Sequence, residues 1–248
     1  MMLSTQGLTL HYGSSQILHG IDFAAKGGEV TCIMGPNGVG KTSFLKALAG
    51  THPRSGGDVI LAEETLPVCR PQDMARRGIS IVPQGRMIFP LLTVRENLET
   101  AFAVLPKSQH QIPDEVFTLF PILKSFLHRR GGDLSGGQQQ QLAIARALIM
   151  QPKVLLLDEP TEGIQPNIIQ QIGEVISYLK SKGNMAIILV EQYFEFAYDL
   201  ADHVYVFRRG SVLTSGRTDS FEKATLRAAV SVEAEDTPAN HDVSSGPK

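Results

Sequence analysis

Gly35-Pro-Asn-Gly-Val-Gly-Lys-Thr-Ser43 decides the reading of this chain. The stretch fits G-x-x-x-x-G-K-[ST], a loop whose backbone N–H groups cradle phosphates. The apolar run at 29–34 reads as a buried strand, and 41–49 reads as a helix. Strand, loop and helix in that order are the context the motif requires. Gly35, Gly38 and Gly40 permit backbone angles closed to other residues, so successive N–H groups can curl round an anion. The helix beginning at Lys41 points its positive end at the same anion. Lys41 is expected to reach the β- and γ-phosphates of a nucleotide, and the Thr42 hydroxyl to hold Mg2+.

Around this loop the chain has 248 residues, enough for one large α/β domain or a core with an appended subdomain. Hydrophobic residues make up 42%, so a sizeable core can form. The net charge of −2 gives no sign of a general nucleic-acid binder. No apolar run approaches the roughly 18–20 residues that span a bilayer, and the N-terminus lacks the pattern of a secretion signal. Cys32 and Cys69 show neither metal-ligand spacing nor a disulfide framework. The expected location is therefore cytosolic, with membrane contact only through a partner.

Upstream of the loop, 8–11 alternates like a half-buried strand, and 17–24 reads as a second strand after the turn at Tyr12-Gly13. Tyr12, at a strand end, could stack on a purine, although its spacing alone favours packing. Downstream, 51–57 is a loop by composition, 58–61 a strand, 73–77 a short helix and 79–82 a β-run ending at Pro83-Gln84. From Gly85 the pattern turns helical, with 94–104 and 114–127 as candidate helices punctuated by Pro106, Pro113 and Pro121. Ser135 can cap a helix that continues to Met150. The run 154–157 is wholly apolar, as strands buried in parallel sheets are. An amphipathic helix at 168–182, a strand at 186–190, a helix at 193–200 and a hairpin through Arg209-Gly210 follow. A last helix is expected at 220–230. The breaker-rich 231–248 reads as a disordered tail.

A phosphate loop says only "nucleotide". The second requirement is a carboxylate for Mg2+ at the end of a neighbouring buried strand, and Asp158 is so placed. Glu159 need not ligate the metal and can serve as general base for a water in line with the γ-phosphate. Leu134-Ser-Gly-Gly-Gln138 joins a serine and two glycines to a helix start, a second anion-binding device. One chain cannot easily wrap both devices around one phosphate group, whereas two copies facing each other could.

With these residues in place, the chain resembles the ATP-binding subunits of ABC transporters over about residues 4–230. Residues 35–42 match the family's Walker A motif, 134–138 its signature, 155–159 its Walker B and Gln84 its Q-loop glutamine. Tyr12 matches its adenine-stacking aromatic. The resemblance implies ATP contacts by Tyr12, Gly35, Asn37, Gly38, Gly40, Lys41, Thr42 and Ser43. Ser135, Gly136, Gly137 and Gln138 would contact the ATP of a second subunit. Mg2+ would be held by Thr42, Gln84 and Asp158, and catalysis would fall to Glu159, Lys41, Gln84 and Gln192. The implied fold is an α/β P-loop NTPase core with an antiparallel β subdomain, residues 1–84 and 151–230, and a helical subdomain at 85–150 between the Q-loop and the signature. The implied partners are a second, paralogous ATP-binding chain in a head-to-tail dimer (with a homodimer open to the isolated chain), two transmembrane permease subunits and, indirectly, an extracytoplasmic solute-binding protein. The place would be the cytoplasmic face of the plasma membrane.

Two departures narrow the resemblance. Gln192 stands where most of the family has a histidine; its amide can donate to a phosphate oxygen but cannot carry a charge. Glu162-Gly-Ile-Gln165 replaces the usual Ser-Ala-Leu-Asp, so Gln165 stands where an aspartate joins the two sites. Val190-Glu-Gln192, 84–90 and 92–97 are similar to the branched-chain amino acid uptake group. Within it, 161–166 and 192–197 look most like the urea-uptake subunits. The expected function is ATP hydrolysis powering urea uptake, with branched-chain amino acid uptake as the alternative. A non-transport ABC ATPase fits less well, because the chain has one cassette and no heptad run.

Overall fold

A computed structural model describes residues 2–231; the expected tail at 231–248 lies, beyond its first residue, outside the described residues. In chain order the elements are β1 (Leu3–Tyr12), β2 (Ser15–Ala25), β3 (Val30–Met34), α1 (Lys41–Ala49), β4 (Gly56–Leu61), β5 (Glu64–Leu66), α2 (Pro71–Arg76) and β6 (Ile79–Val82). A helical stretch follows, with α3 (Val94–Glu99), α4 (Asp114–Leu119), α5 (Pro121–Ser125) and α6 (Gly136–Ile149). The chain then returns to β7 (Val154–Asp158), α7 (Pro166–Ser181), β8 (Ala186–Val190), α8 (Phe194–Leu200), β9 (His203–Arg208), β10 (Ser211–Arg217) and α9 (Lys223–Ser231).

Two sheets form. An antiparallel one runs β2-β1-β4-β5, and the central one runs β10-β9-β3-β8-β7-β6. In the central sheet every neighbour pair from β9 to β6 is parallel, and β10 closes one edge as the antiparallel arm of a hairpin. Strands β3, β7 and β8 are buried along their whole length, which is why their sequences are continuous apolar runs instead of alternating ones. Successive side chains of each strand serve opposite faces. Thus Cys32, Met34, Leu155, Leu157, Ile187 and Leu189 pack with the helical stretch, α7 and α8. Ile33, Leu156, Ile188 and Val190 pack with α1 and the antiparallel sheet.

β1 begins at Leu3, five residues before the strand expected at 8–11, and α9 begins at Lys223 and not at 220; three further differences have a physical reason in the chain. The helix expected at 94–104 keeps α geometry to Glu99 and tightens to a 3-10 turn over Thr100–Val104. The helix expected at 114–127 breaks between α4 and α5. Pro121 has no N–H to give, and Phe120 before it sits at φ −131°, ψ 71°, outside the helical region. β5 was not expected, because the turn into it is made by Ala62 and Glu63 at φ 47° and 73°, left-handed angles that neither residue type advertises.

The parallel order has one consequence for chemistry. Ligands of open α/β sheets bind at the carboxyl ends of the strands. Here β3 ends in the phosphate loop, β8 in Glu191 and Gln192, β7 in Asp158 and Glu159, and β6 runs through Pro83 to Gln84. The pairings Ile33 with Val190 and Asp158 with Val190 put three of these ends level. Four segments distant in sequence therefore meet along one edge.

Candidate nucleotide site

The phosphate loop is built so that its anion-binding groups stay open. Gly40 precedes α1 at φ 105°, no side chain caps the helix, and its first turn has no acidic residue. Its first N–H groups are left for a ligand. Gly35 adopts φ 143°, and a Cβ there would meet the Phe207 carbonyl oxygen of β9 at 2.3 Å. The Gly210 N–H of the β9–β10 hairpin donates to the Val39 carbonyl at 3.1 Å, bracing the loop from outside. Lys41 is almost wholly buried, and its Nζ donates to the Gly35 and Pro36 carbonyls at 2.7 and 2.8 Å. Burial pulls its pKa below the usual lysine value, against the pull of Glu159 and Asp158.

Thr42 Oγ1 donates to Asp158 Oδ1 at 3.2 Å. Burial pushes the Asp158 carboxyl up to about 6, although the Thr42 hydroxyl works in the other direction. A buried carboxylate only partly compensated by the Thr42 hydroxyl and the charge of Lys41, at the foot of a phosphate loop, fits Mg2+. No cluster of three or more His, Cys, Asp or Glu side chains suits a metal among the described residues. Mg2+ needs only one or two protein oxygens, the rest of its shell coming from phosphates and water.

The raised Asp158 value has a consequence for stability. Folding favours the protonated form, so that contribution is complete below the unfolded value of 3.8 and is lost as pH rises through about 6. Asp158→Asn is expected to stabilise the nucleotide-free chain at pH 7 by at most about 3 kcal/mol. The gain should vanish near pH 4. Thermal unfolding of both proteins at the two pH values, without nucleotide or divalent cation, measures it.

Glu159 follows at φ 48°, a left-handed angle that costs a non-glycine residue about 1 kcal/mol or more. It is held there by its own N–H, which donates to the Val190 carbonyl at 2.9 Å, and by its side chain. Gln84 Nε2 donates to Oε2 at 3.1 Å, and Gln192 Nε2 donates to Oε1. Both oxygens thus accept from neutral amides. The strained turn aims the carboxylate into a cavity of about 720 Å³.

That cavity brings together most of the expected site. Asn37, Gly38, Gly40, Lys41, Thr42 and Ser43 line one wall; Gln84, Glu159 and Gln192 line another. Tyr12 lines its mouth, 40% exposed, with its ring 4.3 Å from that of His52. Gly35 contributes its carbonyl to Lys41, and Asp158 its bond to Thr42. The four signature residues do not line this cavity. Ser135 and Gln138 instead form a capping box: the Gln138 N–H donates to Ser135 Oγ at 3.3 Å, and the Ser135 N–H to Gln138 Oε1 at 3.0 Å.

Glu191 is the residue the sequence reading passed over. It is 2% exposed and accepts four hydrogen bonds, from the N–H and hydroxyl of Thr161 and the N–H groups of Gln192 and Tyr193. Burial raises its pKa, partly offset by these donors. The side chain ties the segment after β7 to the segment after β8, and so fixes Gln192 against Glu159. Its signal in the sequence was a lone carboxylate at the end of an apolar strand. Glu191→Gln would set an amide N–H2 against N–H donors. It is expected to cost about 1–3 kcal/mol, read as a shift in denaturant midpoint.

Comparison with known proteins agrees with this geometry. Residues 18–162 match the ABC transporter family. The chain is 41% identical over 213 residues to the high-affinity branched-chain amino acid transport ATP-binding protein BraG of Pseudomonas aeruginosa, covering 86% of this chain and 91% of that one. It is 35% identical to the probable branched-chain amino acid transport ATP-binding protein LivF of Archaeoglobus fulgidus, covering 91% and 98%. A nucleotide-free ATP-binding cassette from an ABC transporter superposes with a TM-score of 0.79 at 25% identity, covering 87% of this chain and 91% of that one. Another such cassette, in its ADP conformation, does so with 0.74 at 26%, covering 92% and 93%. The chain belongs to the ABC transporter family, as one of its ATP-hydrolysing cassettes.

Proposed function

We propose that this cassette powers solute import through separate membrane subunits. The observation that carries the reading is the single cavity in which the open end of α1 and Lys41 face Glu159, held between Gln84 and Gln192. In this reading the N–H groups at the start of α1 and the Lys41 ammonium take the ATP phosphates. Thr42 and Asp158 would hold Mg2+, with Gln84 completing the set. When bound, the cation neutralises charge on the β- and γ-phosphates. Glu159 accepts a proton from the attacking water, and Gln84 and Gln192 keep its carboxylate turned toward that water. Tyr12 stacks on the adenine.

The signature of one chain would meet the ATP of another. This is supported by the separation of Ser135, Gly136, Gly137 and Gln138 from the cavity of their own chain. The partner is a paralogous cassette in a head-to-tail dimer, or a second copy in isolation. Docking to two permease subunits is supported by an apolar surface just past Gln84, where Met87 is 66% and Leu91 80% exposed, with Phe89 between them. No described helix is long and apolar enough to cross a membrane. The cassette would then sit on the cytoplasmic face through its permeases, served from outside by a solute-binding protein.

The relatives' names favour branched-chain amino acids as the solute. The stretches 161–166 and 192–197 are what keep urea in view. Uptake of labelled leucine and labelled urea by cells lacking only this chain separates them. Loss of leucine uptake, restored by the wild-type chain but not by Lys41→Ala, supports the first. Loss of urea uptake alone supports the second. Normal uptake of both removes this solute class.

A further inference from the structure

We infer that Glu162 is a positioning residue for hydrolysis, acting through Gln84; the inference rests on the proposed Mg2+-ATP chemistry of this cavity. Gln84 Nε2 donates to Glu159 Oε2 and to Glu162 Oε2, each at 3.1 Å. A side-chain amide nitrogen carries two hydrogens, and these two carboxylates take both. The amide is therefore oriented with its nitrogen end fixed and its carbonyl Oε1 left over. That carbonyl is the only end of the side chain able to ligate a cation. With Glu159 alone as acceptor, one hydrogen would be unassigned and the amide could turn.

The main chain of residue 162, which the substitutions below leave in place, also meets the segment after Gln84. Gly85, Arg86 and Met87 run through three successive left-handed conformations, at φ 77°, 68° and 45°. Two of the three are not glycine, so the segment does not hold this shape by local preference. Arg86 anchors it, reaching the Glu162 carbonyl at 3.4 Å and Gln139 Oε1 of α6 at 3.5 Å. The Glu162 N–H donates in turn to the Glu159 carbonyl at 3.2 Å. The main chain at 162 thus joins Glu159 to the strained segment, and the Glu162 carboxylate adds the hold on the Gln84 amide. The exposed acidic side chain lines the same cavity as Lys41 and Glu159, so it is placed to act during turnover and not merely to stabilise the fold.

The test uses Glu162→Ala, which removes the acceptor, and Glu162→Gln, which keeps a carbonyl acceptor. Two quantities are measured: Mn2+ affinity of the chain–ATP complex by electron paramagnetic resonance, and the Mg2+ concentration giving half-maximal ATP turnover. The loss of one such hydrogen bond predicts a weakening of about 3- to 10-fold in both for Glu162→Ala. ATP binding in EDTA should stay within about two-fold of wild type, and Glu162→Gln should recover most of the loss. In a Gln84→Ala background Glu162→Ala should add nothing. The inference fails if Glu162→Ala leaves cation dependence unchanged, or if its effect persists without Gln84. Absence of Mg2+-dependent turnover in the wild-type chain would instead overturn the functional reading, and the inference with it.

Discussion

Glu159→Gln is expected to lower ATP turnover by roughly 10²–10⁴-fold, the range for a positioned general base, with ATP still bound. The substitution is nearly isosteric, so the cavity keeps its shape. Its chemistry changes twice. An amide cannot accept the proton of the attacking water. It also presents an N–H2 group where Gln84 and Gln192 now donate to Glu159, so one donor meets another until a neighbouring amide turns over. The left-handed angle of residue 159 is no better for glutamine than for glutamate, so stability should change little. Single-turnover hydrolysis beside equilibrium ATP binding reads the two effects apart. Unchanged hydrolysis would mean that another group takes the proton.

Lys41→Ala should weaken ATP binding by about 10²-fold or more, the equivalent of one to two charge-assisted hydrogen bonds. The lysine serves the loop before it serves the nucleotide, since its ammonium holds the Gly35 and Pro36 carbonyls. Removing it deletes the cation that faces the phosphates and releases those two carbonyls together. The fold should survive, because burial already disfavours that charge. Calorimetric titration with ATP measures the loss, and a near-normal unfolding temperature separates it from collapse of the chain. Wild-type affinity in the variant would refute the role of Lys41.

The sequence by itself determined the parts whose physics is local. The phosphate loop, its strand and its helix were legible because glycines, an apolar run and a helix start leave little other choice at that spacing. The boundaries of α1 fall where expected, and so does the capping of α6 by Ser135; that Gln138 caps in return emerged only in the structure. The buried strands β3, β7 and β8 were readable as continuous apolar runs. Ser135 to Gln138 could be recognised but not placed, since a single chain does not say what faces its signature.

Only the tertiary structure decided which distant residues meet. That β8 lies between β3 and β7 is a property of the sheet, and it carries Gln192 and Glu191 to the cavity. Sequence reading measured Gln192 against an absent histidine; in the structure its amide donates to Glu159. Glu162 read as part of a departure from a pattern, and Arg86 as part of a resemblance. Their hydrogen bonds to the Gln84 segment and across to α6 exist because β6 and β7 are adjacent and parallel, with Val82 level with Leu157. The break at Phe120-Pro121 is local, set by the proline itself, whereas the left-handed turn into β5 has a like origin. Packing elsewhere holds backbone angles there that the local sequence does not announce.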